Sequence, residues 1–374
     1  MENSIPVISV TGGPGGGKST FLESYAPEKL MDIGFRIFPV PEPPTLYIPT
    51  GIKDISKIRL NDMEKYIDIE WGFLHAHLAF RDAAVKMAEL FHKRGEKCVV
   101  LCDRGGMDFK PYMPPGVFSA LLAENRLMLA DVRDFYTAVI HLVTAAEGAS
   151  DFYTLENNIA RQENPDDAVL MDRLTRKAWE GHAKLGIIRS AEDFSSKMKC
   201  AMAVLLKALG YPEPIETERK FLLKTRPDFR INELKHSTKI NIEQMYLMAG
   251  NRESRIRKRS QGDSAIYYRT EKLPVAGSHV SRQELEKRIS ALEYIRLQKF
   301  RDFTANIIRK TRNCFIYNYQ YFELDGIYKP RKEWLLEIEL TEENDKVDLP
   351  PFLNIEREVT GEEKYSNYGV AKGL

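Results

Sequence analysis

Apolar runs separated by amphipathic stretches fill the first 210 residues. Pro6-Val-Ile-Ser-Val-Thr11, Phe35-Arg-Ile-Phe-Pro-Val40, Cys98-Val-Val-Leu-Cys102, Ala138-Val-Ile-His-Leu-Val143 and Leu185-Gly-Ile-Ile188 read as strands. Helical stretches begin near Lys18, span about 61–94 and 166–182, and run on to about Leu209. Continuously apolar strands alternating with helices predict a parallel sheet covered on both faces. The pattern breaks at Gly210-Tyr-Pro-Glu-Pro214, which reads as a linker. Beyond it, period-2 alternation predicts strands over 215–224, 238–248, 253–260, 264–272, 305–317, 319–328 and 334–341, with one helical segment near 281–300. The expected fold is therefore an α/β domain over 1–210, then an α+β domain over 211–374 built on an antiparallel sheet closed into a barrel.

Length and composition agree with two globular domains. The chain has 374 residues, of which 43% are apolar and 29% charged, against ~150–200 residues for a typical domain. A net charge of +1 argues against a general nucleic-acid binder. No apolar run approaches the ~20 residues of a membrane span. MENSIPVISV has no basic region ahead of its apolar residues, and Cys98, Cys102, Cys200 and Cys314 lack paired metal spacing. These features lead to the expectation of a cytoplasmic protein with reduced thiols and no transmembrane segment. The charge is nevertheless segregated. Residues 252–312 hold 16 basic against 7 acidic side chains, whereas 313–374 hold 7 against 13.

Gly12-Gly13-Pro14-Gly15-Gly16-Gly17-Lys18-Ser19 fits G-x-x-x-x-G-K-[ST], between an apolar strand and a helix as that motif requires. Glycines let backbone N–H groups turn toward phosphate oxygens, and the helix start, with Thr20, adds partial positive charge. Lys18 can reach the terminal phosphates of ATP or GTP, and Ser19 can ligate Mg2+. Asp103, ending the third strand, occupies the position from which a second strand offers its carboxylate to Mg2+ or its water. Glu42, ending the second, is a candidate general base. Arg161, Arg173 and Arg176 are candidates to close over transferring phosphate.

Asp103-Arg-Gly with Asp108 and Tyr112, then Thr144-Ala-Ala-Glu-Gly-Ala149, Tyr153 and Asn157-Asn158-Ile-Ala-Arg161, resemble the AAA-type P-loop domain of TRPL translocation defect proteins. The likeness covers most of residues 5–210 and implies a kinase-like core that binds nucleotide. The chain lacks an Asn-Lys-x-Asp guanine-reading motif in this domain, and Leu74, His75 and His77 stand where a kinase-like acceptor site would have Gln.

In the second half, Glu216, Glu218 and Lys220 share one strand face, because side chains repeat every two residues. Arg255, Arg257 and Arg259 do so on another strand, as do Lys310 with Arg312, Glu323 with Asp325, and Glu337 with Glu339. The intervening residues of the last strands are apolar. So charged a face is either solvated or lines a wet interior where opposite charges compensate. Carboxylates suit Mg2+ or Mn2+, and Arg and Lys suit a polyphosphate.

Glu216-x-Glu218-x-Lys220 matches the E-x-E-x-K signature of the CYTH superfamily, the triphosphate tunnel metalloenzymes. The charged pairs follow in the family's order, and Val359–Asn367 resembles its closing segment. The likeness implies a tunnel in which Glu216, Glu218, Asp325, Glu337 and Glu339 hold metal, Lys220, Arg255, Arg257, Lys310 and Arg312 bind triphosphate, and Glu216, Glu218 and Lys220 form the catalytic group. Arg269 and Lys272 stand where the family shows a tunnel-facing Lys. The domain order is that of the TRPL translocation defect family. The sequence thus supports a metal-dependent triphosphatase with a nucleotide-binding P-loop. Its rivals are a nucleotide-regulated module gripping an anionic ligand such as a phosphoinositide headgroup, and a small-molecule kinase.

Overall fold

The computed structural model describes residues 5–147, 165–190, 193–212, 215–248, 253–274 and 281–374, with backbone alone at 215–216, 273–274 and 281–283. The chain divides into two compact units, Met1–Leu205 and Leu206–Leu374.

In the first unit, β1 (Val7–Thr11), β2 (Phe35–Val40), β3 (Lys97–Asp103), β4 (Ala138–Leu142) and β5 (Leu185–Ile188) form one sheet in the order β2-β3-β1-β4-β5. Every pairing is parallel. β1 and β4 are buried along their whole length, as are Cys98–Cys102 of β3. This is why those strands read as unbroken apolar runs. The helix Met63–His92 packs on β2 and β3. Asp62 starts it by accepting the Lys65 N–H at 3.0 Å, and it ends the preceding helix Ile55–Asn61. The buried stripe of the long helix, at Tyr66, Glu70, Phe73, Leu74, His77, Arg81, Ala84 and Ala88, has helical spacing. Three of those positions are polar, an early sign that this face does more than pack.

The second unit holds β6 (Ile215–Leu223), β7 (Thr238–Leu247), β8 (Glu253–Gln261), β9 (Ser264–Pro274), β10 (Ser281–Ile289), β11 (Ile308–Tyr317), β12 (Gln320–Lys329), β13 (Glu333–Glu339) and β14 (Ile355–Glu358). They lie in the order β10-β9-β8-β7-β11-β12-β13-β6-β14, and β10 also pairs with β6 through Ser281, Arg282 and Gln283. The hydrogen-bonded order thereby returns to β6. One expectation is corrected. Residues 281–289 are a strand rather than the start of a helix, and only Ala291–Leu297 is α-helical. Glu284 and Arg288 at i,i+4 mimic a helical ion pair, but the long antiparallel pairing with β9 prevails.

One apolar cluster of this unit lies on the face opposite the charges. Phe221, Leu223, Phe315, Phe322, Leu324, Leu336 and Ile338 are buried together, covered by Phe229, Trp334 and Phe352. The alternate residues of the same strands are the charged ones, so the strict period of two delivers the charges to the other face as a set.

Candidate functional site

The glycine loop follows β1 at the centre of its sheet. Gly12, Gly15 and Gly17 have φ of 143°, 71° and 90°, which side chains rarely adopt. A Cβ on Gly12 would strike the Leu142 carbonyl, and one on Gly17 would meet the Phe194 ring at 2.8 Å. Lys18 begins a helical run that passes through a π-helical turn at Phe21–Tyr25, a feature common near functional sites. The Lys18 ammonium donates to the Gly12 and Gly13 carbonyls at 2.9 and 3.0 Å. Burial, followed by the neighbouring Arg104, lowers it to about 8. Ser19 and Thr20 are exposed beside it.

Asp103 closes β3 with one buried oxygen, Oδ1, that has no hydrogen-bond partner. Burial, then the charge of Glu42, raises its carboxyl to about 6. An unpartnered carboxylate oxygen within electrostatic reach of the P-loop lysine is a donor of the kind a divalent cation takes. Arg104 follows with φ 67°, a strained conformation for a residue with a side chain, costing of order 1–3 kcal/mol. Its Nε donates to Glu42 Oε1 at 2.5 Å, so the second-strand carboxylate and the third-strand guanidinium act as one unit.

Sequence reasoning missed the brace under the loop. Asp172, fully buried on the helix Pro165–Ala178, accepts from the Gly13 and Thr144 N–H groups, both at 2.9 Å. Its other oxygen takes His141 Nε2 at 3.1 Å and Arg176 Nε at 3.0 Å. Burial opposes its charge, but His141, Arg176 and the backbone N–H hold its carboxyl down at about 2. Arg176 also donates to Glu147 at 2.7 Å, and Arg173 reaches Glu147 at 3.4 Å. Arg176 is thus tied into the scaffold. Arg161, with Tyr153, Asn157 and Asn158, lies outside the described residues. Of the acceptor-site positions, Leu74 and His77 are buried, and His77 Nε2 lies 2.9 Å from the Tyr136 hydroxyl.

In the second unit Lys220, Lys310, Arg312, Asp325 and Glu337 are all buried. Arg312 donates through Nε and Nη2 to Asp325 at 2.8 and 2.7 Å, through Nη2 to Glu337 at 2.6 Å, and through Nη1 to Glu323. Lys310 Nζ donates to Asp325 Oδ2 at 2.5 Å and to Asn367 Oδ1 at 3.1 Å. Lys220 Nζ lies 2.9 Å from Glu337 and 3.4 Å from Glu218. Burial alone would discharge these groups. Instead Glu218 and Glu337 hold Lys220 above its ordinary range, and Asp325, Glu323 and Glu337 hold Arg312 far above. Against burial, Lys220, Lys310 and Arg312 hold Glu337 well below the carboxylate range. Lys310 is the exception, since burial outweighs its carboxylates and lowers it.

A second set lies along β8, β9 and β10. Arg255 reaches Glu284 at 3.6 Å, Arg257 reaches Glu286 at 3.9 Å, and Lys272 reaches Glu284 at 2.8 Å. Burial, with Arg255 beside it, lowers the Arg257 guanidinium. Lys272 is the buried member of the fourth-strand pair, while Arg269 bonds Glu271 at 2.8 Å. Glu284 and Glu286 lie in the segment whose spacing predicts helix, which hides that both share one strand face. A cavity lined by Glu218, Lys220, Glu253, Arg255, Lys272 and the closing segment from Val359 to Tyr368 opens onto this set.

The expected metal ligands are only partly gathered. Glu218 and Glu339 are cross-strand partners, but Glu339 is exposed and bonds Lys207 at 3.0 Å. Asp325 and Glu337 carry cations, and the Glu216 side chain lies outside the described residues. Among the described residues no three His, Cys, Asp or Glu side chains are assembled as a metal cluster. Glu323 does keep one buried oxygen, Oε1, without a hydrogen-bond partner.

Residues 7–196 match the AAA domain family, which spans half of the chain. The chain belongs to the AAA domain family. A CYTH domain follows, matching residues 214–369, so the two-domain order expected from the sequence is the one found. No curated protein matches the chain. Among solved structures, the inorganic triphosphatase NE1496 is similar at 27% identity, covering 42% of this chain and 95% of that one with a TM-score of 0.30. PH1819 from Pyrococcus horikoshii OT3 is similar at 18% identity, over 34% of this chain and 80% of that one, with a TM-score of 0.28. The AAA domain thus carries the glycine loop and its Asp172 brace, and the CYTH domain carries the buried ion network.

Proposed function

We propose that the CYTH domain binds and hydrolyses a triphosphate compound in its charged interior with Mg2+ or Mn2+, while the AAA domain binds ATP or GTP at Gly12–Thr20. The carrying observation is the Lys220–Glu337–Arg312–Asp325–Lys310 network. Buried ion pairs are commonly no more stabilising than well-packed apolar residues, so stability gives little reason to keep five such groups together. A polyphosphate gives one. Its oxygens replace the carboxylates as partners of Lys220, Lys310 and Arg312, and the released carboxylates, with Glu218, Glu339 and Glu323, supply oxygen donors of the kind Mg2+ or Mn2+ takes. When bound, the metal would polarise phosphate oxygens and lower the pKa of a water nucleophile. Phosphate release from tripolyphosphate, thiamine triphosphate, ATP and GTP is the test. Release that is metal-dependent and lost in Glu337→Gln supports turnover, and release unchanged in that variant removes the CYTH interior from it.

A second reading has its own observation, since Asp325 and Glu337 already carry cations. An interior of this kind can grip an anion, such as a phosphoinositide headgroup, without turnover and under nucleotide control. Binding of tripolyphosphate without phosphate release, together with sedimentation on phosphoinositide vesicles, would favour it.

A further inference from the structure

Residues Val359 to Tyr368 supply one wall of the CYTH cavity, which Glu218, Glu253, Lys220, Arg255 and Lys272 also line. This wall is tied to the charged network at both ends. The Val359 N–H donates to the Lys220 carbonyl at 2.8 Å, and the Thr360 hydroxyl accepts the Lys220 N–H at 3.0 Å. Further along, Asn367 Oδ1 accepts from Lys310 Nζ at 3.1 Å. Asn367 therefore touches both the cavity and a lysine that is 1% exposed.

The helix Asn367–Lys372 is held in place by other groups. Val370 and Ala371 are fully buried in one cluster with Ile308, Ile327 and Leu335. The Ala371 carbonyl accepts from the Asn306 N–H at 2.7 Å and from Nδ2 of the same residue at 3.0 Å. Lys372 Nζ donates to Asp302 at 2.8 Å. None of these bonds involves the Asn367 amide, so the amide is not needed to hold the helix.

The orientation of that amide follows from its partner. An ammonium has three donors and no acceptor, so the oxygen faces Lys310 and the N–H groups of Nδ2 face away from it. Among the described residues Nδ2 has no hydrogen-bond partner. Support for Lys310 alone would be served better by a carboxylate, whose charge makes the stronger bond. Asparagine keeps the acceptor and adds neutral donors beside the cavity. Carboxylates and cations are already matched along its walls, so such donors attract phosphate oxygens without adding charge.

We propose that Asn367 is a binding residue of the triphosphate site, donating through Nδ2 to a phosphate oxygen while Oδ1 holds Lys310 in place. The inference rests on the reading of the CYTH interior as a triphosphate site. Lys220, Lys310 and Arg312 supply its charge, and Asn367 adds a directional donor from the closing segment.

The test is calorimetric binding of sodium tripolyphosphate to the full chain without divalent metal, so that no turnover intervenes. Asn367→Leu should raise Kd by ~10-fold or more, and a Kd within twofold of wild type overturns the proposal. Lost support for Lys310 would also weaken binding, and a double-mutant cycle separates the two effects. In Lys310→Met, which has no ammonium to support, Asn367→Leu should still raise Kd by ~5-fold or more. No further loss in that background overturns the phosphate contact. A second measurement needs no lysine variant. In 15N-asparagine-labelled protein, the side-chain amide resonance that disappears in Asn367→Leu should shift when tripolyphosphate is added, and an unmoved resonance overturns the contact. Failure of the wild-type chain to bind tripolyphosphate overturns instead the triphosphate reading beneath it.

Discussion

The two candidate sites are built from opposite materials. In the AAA domain the cradle is main chain. Glycines at positive φ bring N–H groups together, one lysine supplies charge, and a single carboxylate, Asp172, pins the loop from below. In the CYTH domain the charge sits on side chains from seven strands, neutralised pairwise. A backbone site is cheap to build locally and tolerates little substitution. A side-chain site depends on long-range register and stores its binding groups as ion pairs, so each cation removed strands the carboxylates it held.

The sharpest way to break this contrast is Arg312→Ala. Three carboxylates lose their shared partner, and the CYTH domain should lose ~3–5 kcal/mol of stability, read as a fall in its denaturant midpoint. Next in size is Glu337→Gln, which keeps the shape of the network but removes its central charge. Phosphate release should fall by ~100- to 1,000-fold, with nucleotide binding by the AAA domain within twofold of wild type. Asp172→Asn tests the brace on the other side. The amide nitrogen cannot accept the bonds its oxygen took, and ~1–3 kcal/mol should be lost, with nucleotide affinity falling alongside. Gly17→Ala should cost ~1–2 kcal/mol from the left-handed backbone, with further strain against Phe194, and should weaken nucleotide binding without changing triphosphate hydrolysis.

The smallest effect is a pH slope. Burial raises the Glu70 carboxyl from 4.5 to about 7, so the fold prefers it protonated. Its contribution is full below pH 4.5 and is lost as pH rises through 7. Glu337 runs the other way. Held well below its usual range, it contributes above pH 4.5 and loses that contribution on further acidification. Glu70→Gln should therefore flatten the stability profile of the AAA domain between pH 4.5 and 7. An unchanged profile would remove Glu70 from this account.

Much of this was legible in the sequence, because local rules wrote it. The glycine loop is contiguous, its strand and helix flank it, and Asp103 and Glu42 announce themselves as the polar residues that end apolar runs. The period of two likewise put Lys310 with Arg312 and Glu337 with Glu339 before any coordinates. Asp172 was not legible, since it sits mid-helix more than a hundred residues from Gly13, and only the fold brings the two within a hydrogen bond. Nor was β10, whose charges imitate a helix until its neighbour β9 is present.

The sequence by itself determined which face of each strand is charged and where the backbone must turn, because both follow from residue spacing and from the conformational freedom of glycine. Only the tertiary structure decided who pairs with whom. Strand register set Arg312 across from Asp325 and Glu337 across from Lys220, and ion-pair energy depends on separations of a few ångströms that residue spacing along the chain does not contain.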